Sequence, residues 1–442
     1  MRFLLTDEQR ALARSLDAML TAADTPAAVR AWSAGDHAPG RALCSRLAQA
    51  GVFALAAPEA YEGVGMLPVE LAVSFVELGR HAVPGPVVET VATAALLTHL
   101  AEHGDTSPAK RLLPGLATGE STATLALTTA GYGPYALDAD AATVTLVVSG
   151  GGAAGGGGPV TGSGRATART GAKPEAAAGT GTGARAGTGA GPGEATRRAG
   201  ATPACTRTGD RVGAGAGPGQ ATPRAASRAG ARPPTAAGTG TGDRVGAGAT
   251  PAGPRAGVSD GSPDARLLIA PGHGPVHASA DPARRLSVPG AGGEILAEGP
   301  RVAAAAAYAA DVAAFATAAQ ALGVGLALLD RTVAHAKRRC QFGAAIGSFQ
   351  AVKHRLADTL IGLEFARPLL YGAALSMAPA DIAAAKATAG EAAYAAARTA
   401  LQLHGAVGYT DELDLSLWLR KARPLRDAWG TPARCRARVL SG

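Results

Sequence analysis

Near the end of the chain, Gln402-Leu403-His404-Gly405-Ala406-Val407-Gly408-Tyr409-Thr410-Asp411-Glu412 joins a helix end, a glycine turn and a presented carboxylate. An Ala-rich helical pattern runs up to His404. Gly405 stands where a helix C-cap favours positive φ, and Gly408 frees the backbone for a second tight turn. The apolar pattern resumes at Leu413, Leu415, Leu417, Trp418 and Leu419. Asp411 and Glu412 are therefore expected at the start of another helix, whose dipole and free N–H groups favour carboxylates. Two roles follow from that position: a plain helix cap, or an acid available for proton transfer. If the chain has a chemistry, Glu412 is the residue assigned to it.

A second stretch decides between these roles. Arg339-Cys340-Gln341-Phe342-Gly343 is followed by Ile346, Phe349-Gln350, His354 and Ala357-Asp358. In order and spacing, the two stretches together resemble the helical domain of the acyl-CoA dehydrogenase family, which carries an Arg-x-x-Phe-Gly element and a Gln-x-x-Gly-Gly-like element before an acidic loop. Upstream, Pro58-Glu59-Ala60-Tyr61-Glu62-Gly63-Val64-Gly65 resembles a third family element, with Glu62 where glycine is usual. The resemblance covers residues 300 to 440 well and 1 to 130 loosely.

Composition divides the chain into two materials. Between Gly151 and Asp260 there is no Leu, Ile, Met, Phe, Tyr or Trp, and Val occurs only at 160, 212, 245 and 258. Such a segment buries too little apolar surface to offset its ordering entropy, and disorder is expected. Its 13 basic and 5 acidic residues account for the whole chain's net +8, so the remainder is neutral. Thr208–Ala216 recurs as Thr241–Ala249, but neither copy has an apolar face to stack, which reads as a low-complexity tether rather than a solenoid. Without aromatic residues or a dense basic cluster, the segment lacks a nucleic-acid footprint. Cys44, Cys205, Cys340 and Cys435 are scattered without metal-ligand spacing, so reduced thiols and no metal are expected. The N-terminus turns acidic at Asp7-Glu8, too soon for a signal peptide, and the apolar run from Val302 to Leu329 is mostly Ala with Asp311 inside it. A cytoplasmic protein without a membrane span is expected.

The elements that must position the two stretches follow in order. Residues 1–120 read as an N-terminal helical domain: Thr6 precedes Asp7-Glu8-Gln9 as an N-cap, and Leu12, Leu16 and Leu20 recur at helical spacing. Thr124–Thr128 and Thr143–Val148 read as strands, as do Ala265–Ala270, Arg285–Val288 and Glu294–Leu296. They form a reduced, β-barrel-like middle domain over 121–150 and 261–299, interrupted by the insertion at 151–260. From residue 300 to 442, helices over about 301–337, 347–377, 381–404 and 413–438 suit an antiparallel four-helix bundle. Ile346, Phe349, Val352, Leu356, Leu360 and Leu363 make the apolar stripe of the second. The fold class is mainly α with a small β domain.

The resemblance implies FAD, an acyl-CoA substrate, an electron-transfer acceptor and a homo- or hetero-oligomer. It assigns the flavin pyrophosphate to Arg339, neighbouring cofactor contacts to Phe342 and Gln350, and an approach to the cofactor across a subunit interface to Gln402, Gly405 and Gly408. Ala406 replaces a common glycine there. Leu127-Thr128-Thr129 keeps the threonine of a family strand end and loses its acid, leaving Thr128 to donate to a flavin edge or to serve only the strand. The implied reaction is removal of an α proton by Glu412 with hydride transfer from the β carbon to flavin. Asp411 is the rival base, but the spacing from Gly408 favours Glu412. Apolar surroundings are expected to raise its pKa toward the operating pH. Three other readings stand beside this one: a flavin oxidase or monooxygenase on the same scaffold, a partner subunit of a hetero-oligomeric enzyme, and a scaffold acting through the basic tether.

Overall fold

Six helices open the chain in the computed structural model, which describes residues 4–128, 132–150 and 264–441. They are α1 (Asp7–Ala22), α2 (Thr25–Ser33), α3 (Ala38–Gln49), α4 (Pro68–Arg80), α5 (Val87–Glu102) and α6 (Ser107–Thr118). Thr6 caps α1 as its type predicts: its hydroxyl accepts from the Gln9 amide, and the Gln9 side chain accepts from the Thr6 amide. Leu16 and Leu20 are buried from that helix, with Leu12 packed at the edge of the same core.

Strands β1 (Ala123–Leu127), β2 (Ala136–Leu137), β3 (Val144–Ser149), β4 (Arg266–Ile269), β5 (Leu286–Ser287) and β6 (Glu294–Glu298) follow. One sheet has the order β1-β3-β4-β6, with β1 parallel to β3 and the other pairs antiparallel. β2 and β5 make a separate antiparallel ribbon. Among the described residues this sheet is open at β1 and β6 and closes no barrel. Every residue of β1 is buried because α5 backs it: the Thr90 hydroxyl accepts from the Ala123 amide at 3.2 Å and lies 3.1 Å from its carbonyl. The low-complexity stretch at 151–260 lies outside the described residues.

The remaining elements are α7 (Pro300–Arg338), a hairpin of β7 (Cys340–Gln341) and β8 (Ala344–Ala345), α8 (Gln350–Ser376), α9 (Pro379–His404), α10 (Leu415–Asp427) and α11 (Pro432–Ser441). α7 packs on α4 and α5 as well as on α8, α9 and α10. By length and composition α7 is apolar enough to cross a membrane, but its most apolar window is wholly buried within the protein, as befits a core helix. The single last helix expected over 413–438 is two. Ala428 is extended, Trp429 and Gly430 have positive φ, and Pro432 keeps Thr431 out of helical conformation. The chain turns a corner there.

Two glycines set the α4–α7 distance. A Cβ on Gly79 would lie 2.0 Å from the Gln320 carbonyl oxygen, and one on Gly323 would lie 1.9 Å from that of Val76. Backbone meets backbone, which only glycine permits. Gly323→Ala gains about 1 kcal/mol of helix propensity but overpacks this crossing, and a net loss of roughly 1–3 kcal/mol is expected in urea denaturation. Gly372→Ala, on α8 where an added Cβ meets nothing within 4 Å, is the matched control expected to be neutral or stabilising.

Asp138, fully buried, ties α2 to the strands: its Oδ1 accepts from Trp32 Nε1 at 3.2 Å and from the Arg285 amide at 3.1 Å. Burial pushes its carboxyl from 3.8 up to about 7. The folded state then holds a proton that the unfolded state has lost, so this group's contribution is fully present below about pH 4 and disappears as pH rises through about 7. Asp138→Asn is expected to remove that slope from the dependence of Tm on pH.

Candidate active site

Candidate functional side chains gather at two places. The first is one end of the long helices, where α7 finishes, α8 begins and α9 finishes. His335 of α7 stacks on His404 of α9 with ring centroids 4.0 Å apart, which holds the two helix ends together. Desolvation and the neighbouring His404 bring His335 down to about 4, and desolvation also lowers His404, so the pair is neutral at physiological pH. Arg339 caps α7 and is exposed, and its guanidinium makes no ion pair or side-chain hydrogen bond among the described residues. Phe342 sits at the tip of the β7–β8 hairpin with φ +52° and 94% exposure. Gln350 opens α8 and is exposed, and Gln402 on α9 accepts from Arg355 of α8. Gly405 has φ +65°, and Gly408 is buried where a Cβ would come 3.1 Å from the His404 Cβ.

The second place is a cavity of about 390 Å³ between the sheet, α5 and the corner joining α10 to α11. Its apolar wall comes from Leu125 and Leu127 of β1, Leu137 of β2 and Leu286 of β5. Tyr132 and Trp429 pack together in its lining with ring centroids 5.5 Å apart, and the Arg434 guanidinium lies 4.1 Å from the Tyr132 ring centre. At the inner end is Glu89, 2% exposed; its Oε1 accepts from Trp429 Nε1 at 3.0 Å, and its Oε2 has no partner. Burial raises the Glu89 carboxyl, opposed by Arg284 and by the Trp429 bond. A volume in this range, mostly apolar with a few convergent polar groups, suits a small-molecule site.

A model of the acyl-CoA dehydrogenase N-terminal domain matches residues 6–120, and one of the C-terminal domain matches residues 303–440. This chain belongs to the acyl-CoA dehydrogenase family. The acyl-CoA dehydrogenase IpdE2 of Mycobacterium tuberculosis is 42% identical over 113 residues, which is 26% of this chain and 36% of that relative. The chain thus spans about a third of the length of the curated relatives it matches. The structure of butyryl-CoA dehydrogenase from Megasphaera elsdenii superimposes with a TM-score of 0.64 at 17% identity, covering 100% of this chain and 99% of that one. A chain of the ChsE4-ChsE5 complex from Mycobacterium tuberculosis gives 0.64 at 20% identity, covering 100% and 98%. At such identities the likeness is one of fold.

In this acyl-CoA dehydrogenase chain, the residues assigned from sequence divide between the two places and neither. Arg339, Phe342, Gln350, Gln402, Gly405 and Gly408 come together at the helix ends. Thr128 does not join them: its hydroxyl donates to the Val148 carbonyl at 3.0 Å, so the proton expected to reach a flavin edge serves the strand pair. Glu412 is exposed and lines none of the cavities described, so the apolar surroundings expected around it are not found among the described residues. Nor do the two acids cap a helix. Asp411 pairs with Arg420 at 2.5 Å, and α10 starts only at Leu415. Glu89, Arg284, Trp429 and Arg434 escaped sequence reasoning. The signals were an acid inside the apolar run Val87–Val91 and the breakers Gly430 and Pro432 after Trp429.

Lys386 holds the corner that presents Trp429. It is fully buried and donates to the carbonyls of Arg426 at 2.9 Å and Gly430 at 3.1 Å, closing the end of α10. Lys386→Met leaves both carbonyls without this donor. A loss of roughly 1–3 kcal/mol is expected by thermal denaturation, accompanied by a red shift of the tryptophan emission as Trp429 loosens.

Proposed function

We propose that the chain takes part in FAD-dependent α,β-dehydrogenation of an acyl-CoA thioester, in the cytoplasm and as one subunit of an oligomer. The observation that carries this reading is the apolar cavity closed by Tyr132, Trp429 and the buried Glu89, beside a helix bundle whose ends present unpaired polar groups. The helix ends fit a dinucleotide cofactor. Arg339 offers a free donor fork for a pyrophosphate, and Phe342 and Gln350 stand beside it. Gly405 and Gly408 keep the turn after α9 clear of side chains, and Gln402 faces outward. FAD, when bound, supplies the acceptor for the hydride leaving the β carbon. The residues contribute position: the leucine wall and the two aromatic rings exclude water and orient an acyl chain.

Glu412 is the proposed acceptor of the α proton, and this role requires an adjoining chain to bury it. The exposed face of α8, with Ile361 at 51% and Phe365 at 69% exposure, offers apolar surface for such a chain. The exposure of Glu412 also supports a second reading, in which this chain is the partner subunit and another chain supplies the base. The ChsE4-ChsE5 assembly gives that reading a precedent of fold. Anaerobic titration of the purified, flavin-loaded protein with saturated acyl-CoAs separates the two. Under the first reading Glu412→Gln slows flavin bleaching by about 10²-fold or more. Bleaching of Glu412→Gln at the wild-type rate removes Glu412 from the mechanism, whereas a wild type that bleaches only after a second chain is added favours the partner-subunit reading.

A further inference from the structure

The mechanism above uses the cavity's walls but not the charged groups at its inner end. Glu89 and Arg284 line both this cavity and a second, much smaller one behind it, with Leu137 between the two. They therefore stand at the partition, whereas the Asp427 side chain, 43% exposed, stands nearer solvent. Glu89 Oε2 is buried without a hydrogen-bond partner. The Arg284 and Arg434 guanidiniums both line the cavity, and neither makes an ion pair or side-chain hydrogen bond among the described residues. Asp427 is already beside Arg426, at 3.6 Å. A buried carboxyl oxygen without a hydrogen-bond partner, beside a half-buried guanidinium that makes no ion pair, is costly unless something polar completes it.

We infer that Glu89 and Arg284 form a polar subsite that selects acyl groups ending in a carboxylate over plain alkyl chains. Arg284 supplies a donor fork matched to a carboxylate, and the carboxyl of Glu89 shares a proton with it through Oε2. Trp429 holds Oε1 and so fixes which oxygen faces the ligand. A site built to bond an oxygen function rejects the analogue that lacks it, since its own groups are then left unpaired.

This inference rests on the acyl-thioester reading, and the test separates the two. The probes are pentanedioyl-CoA and pentanoyl-CoA, which share every CoA contact and differ in the chain end, measured by calorimetry on the full-length protein as purified. The wild type is expected to bind the dicarboxylic thioester about tenfold more tightly or better. Arg284→Met should bring that ratio close to one while leaving pentanoyl-CoA within about twofold, and Arg284→Lys should keep part of it. Glu89→Leu should also collapse the ratio, and Glu89→Gln should retain some of it. A ratio near one in the wild type, or a ratio unchanged in Arg284→Met with an unaltered Tm, overturns the subsite. If neither thioester binds, the thioester reading fails, and free pentanedioate decides the subsite alone through tryptophan fluorescence: quenching lost in Arg284→Met supports it, and no quenching in the wild type overturns it.

Discussion

Everything in this fold is referred to α7, and α7 is placed by the contact of its backbone with α4. At 39 residues it is about 58 Å long, and small side chains along it let five helices approach at once. The contact at Gly79 and Gly323 leaves no room for slippage, because a carbonyl oxygen occupies the space of each missing Cβ. α7 also reaches one candidate place and the small cavity adjoining the other. Gln320 lies on the wall of the small cavity behind Glu89, and His335 stacks on His404 where the cofactor-like residues gather.

Around that axis the chain ties its layers with buried polar groups rather than with apolar contact alone. Lys421 pairs with Asp281 at 3.3 Å, both nearly inaccessible. Asp138 joins α2 to the strand ribbon, and Lys386 grips two carbonyls at the corner after α10. Burying such groups costs free energy that well-packed apolar residues of similar volume would not. What they fix is geometry: each accepts or donates along defined directions, so the corner carrying Trp429 and the strand ends carrying Leu137 and Leu286 face each other in one arrangement. The cavity between them is a consequence of these ties.

Much of this architecture was legible in the sequence, and the parts that were not share a cause. Periodicity located α1, α7, α8 and α9 to within a few residues, and strand-like runs, β-branched in β3, located β1 and β3, because each element repeats its signal over several turns or pleats. The break at 428–431 is a single event inside an otherwise helical pattern, and only Gly430 and Pro432 announce it. The importance of Gly323 is invisible locally, since what forbids a side chain there is a carbonyl on another helix. Glu89 was hidden in the same way: an acid in the first turn of a helix reads as a dipole cap, and nothing in its neighbours shows that a tryptophan 340 residues away will claim one of its oxygens. The helix-end residues were found because their spacing resembles a known pattern, which transmits geometry that local propensity does not.

The two carboxylates best placed for chemistry have exchanged the environments that their local sequences suggest. Glu89 is buried and Glu412 is in water. A catalytic role for Glu412 calls for a covering surface that the described residues do not supply. The same requirement falls on its surroundings. Phe342 holds a positive φ that is unfavourable for a bulky residue, with 94% of its surface exposed, and packs edge-on against Phe349, which leads into the exposed apolar face of α8. Arg355 of α8 bonds Gln402, tying the start of α8 to the end of α9, from which the loop of Glu412 departs. One covering surface would shelter the phenylalanines, complete the donors around Arg339 and desolvate the acid together. Three costs that look separate among the described residues would have a single remedy in one covering surface.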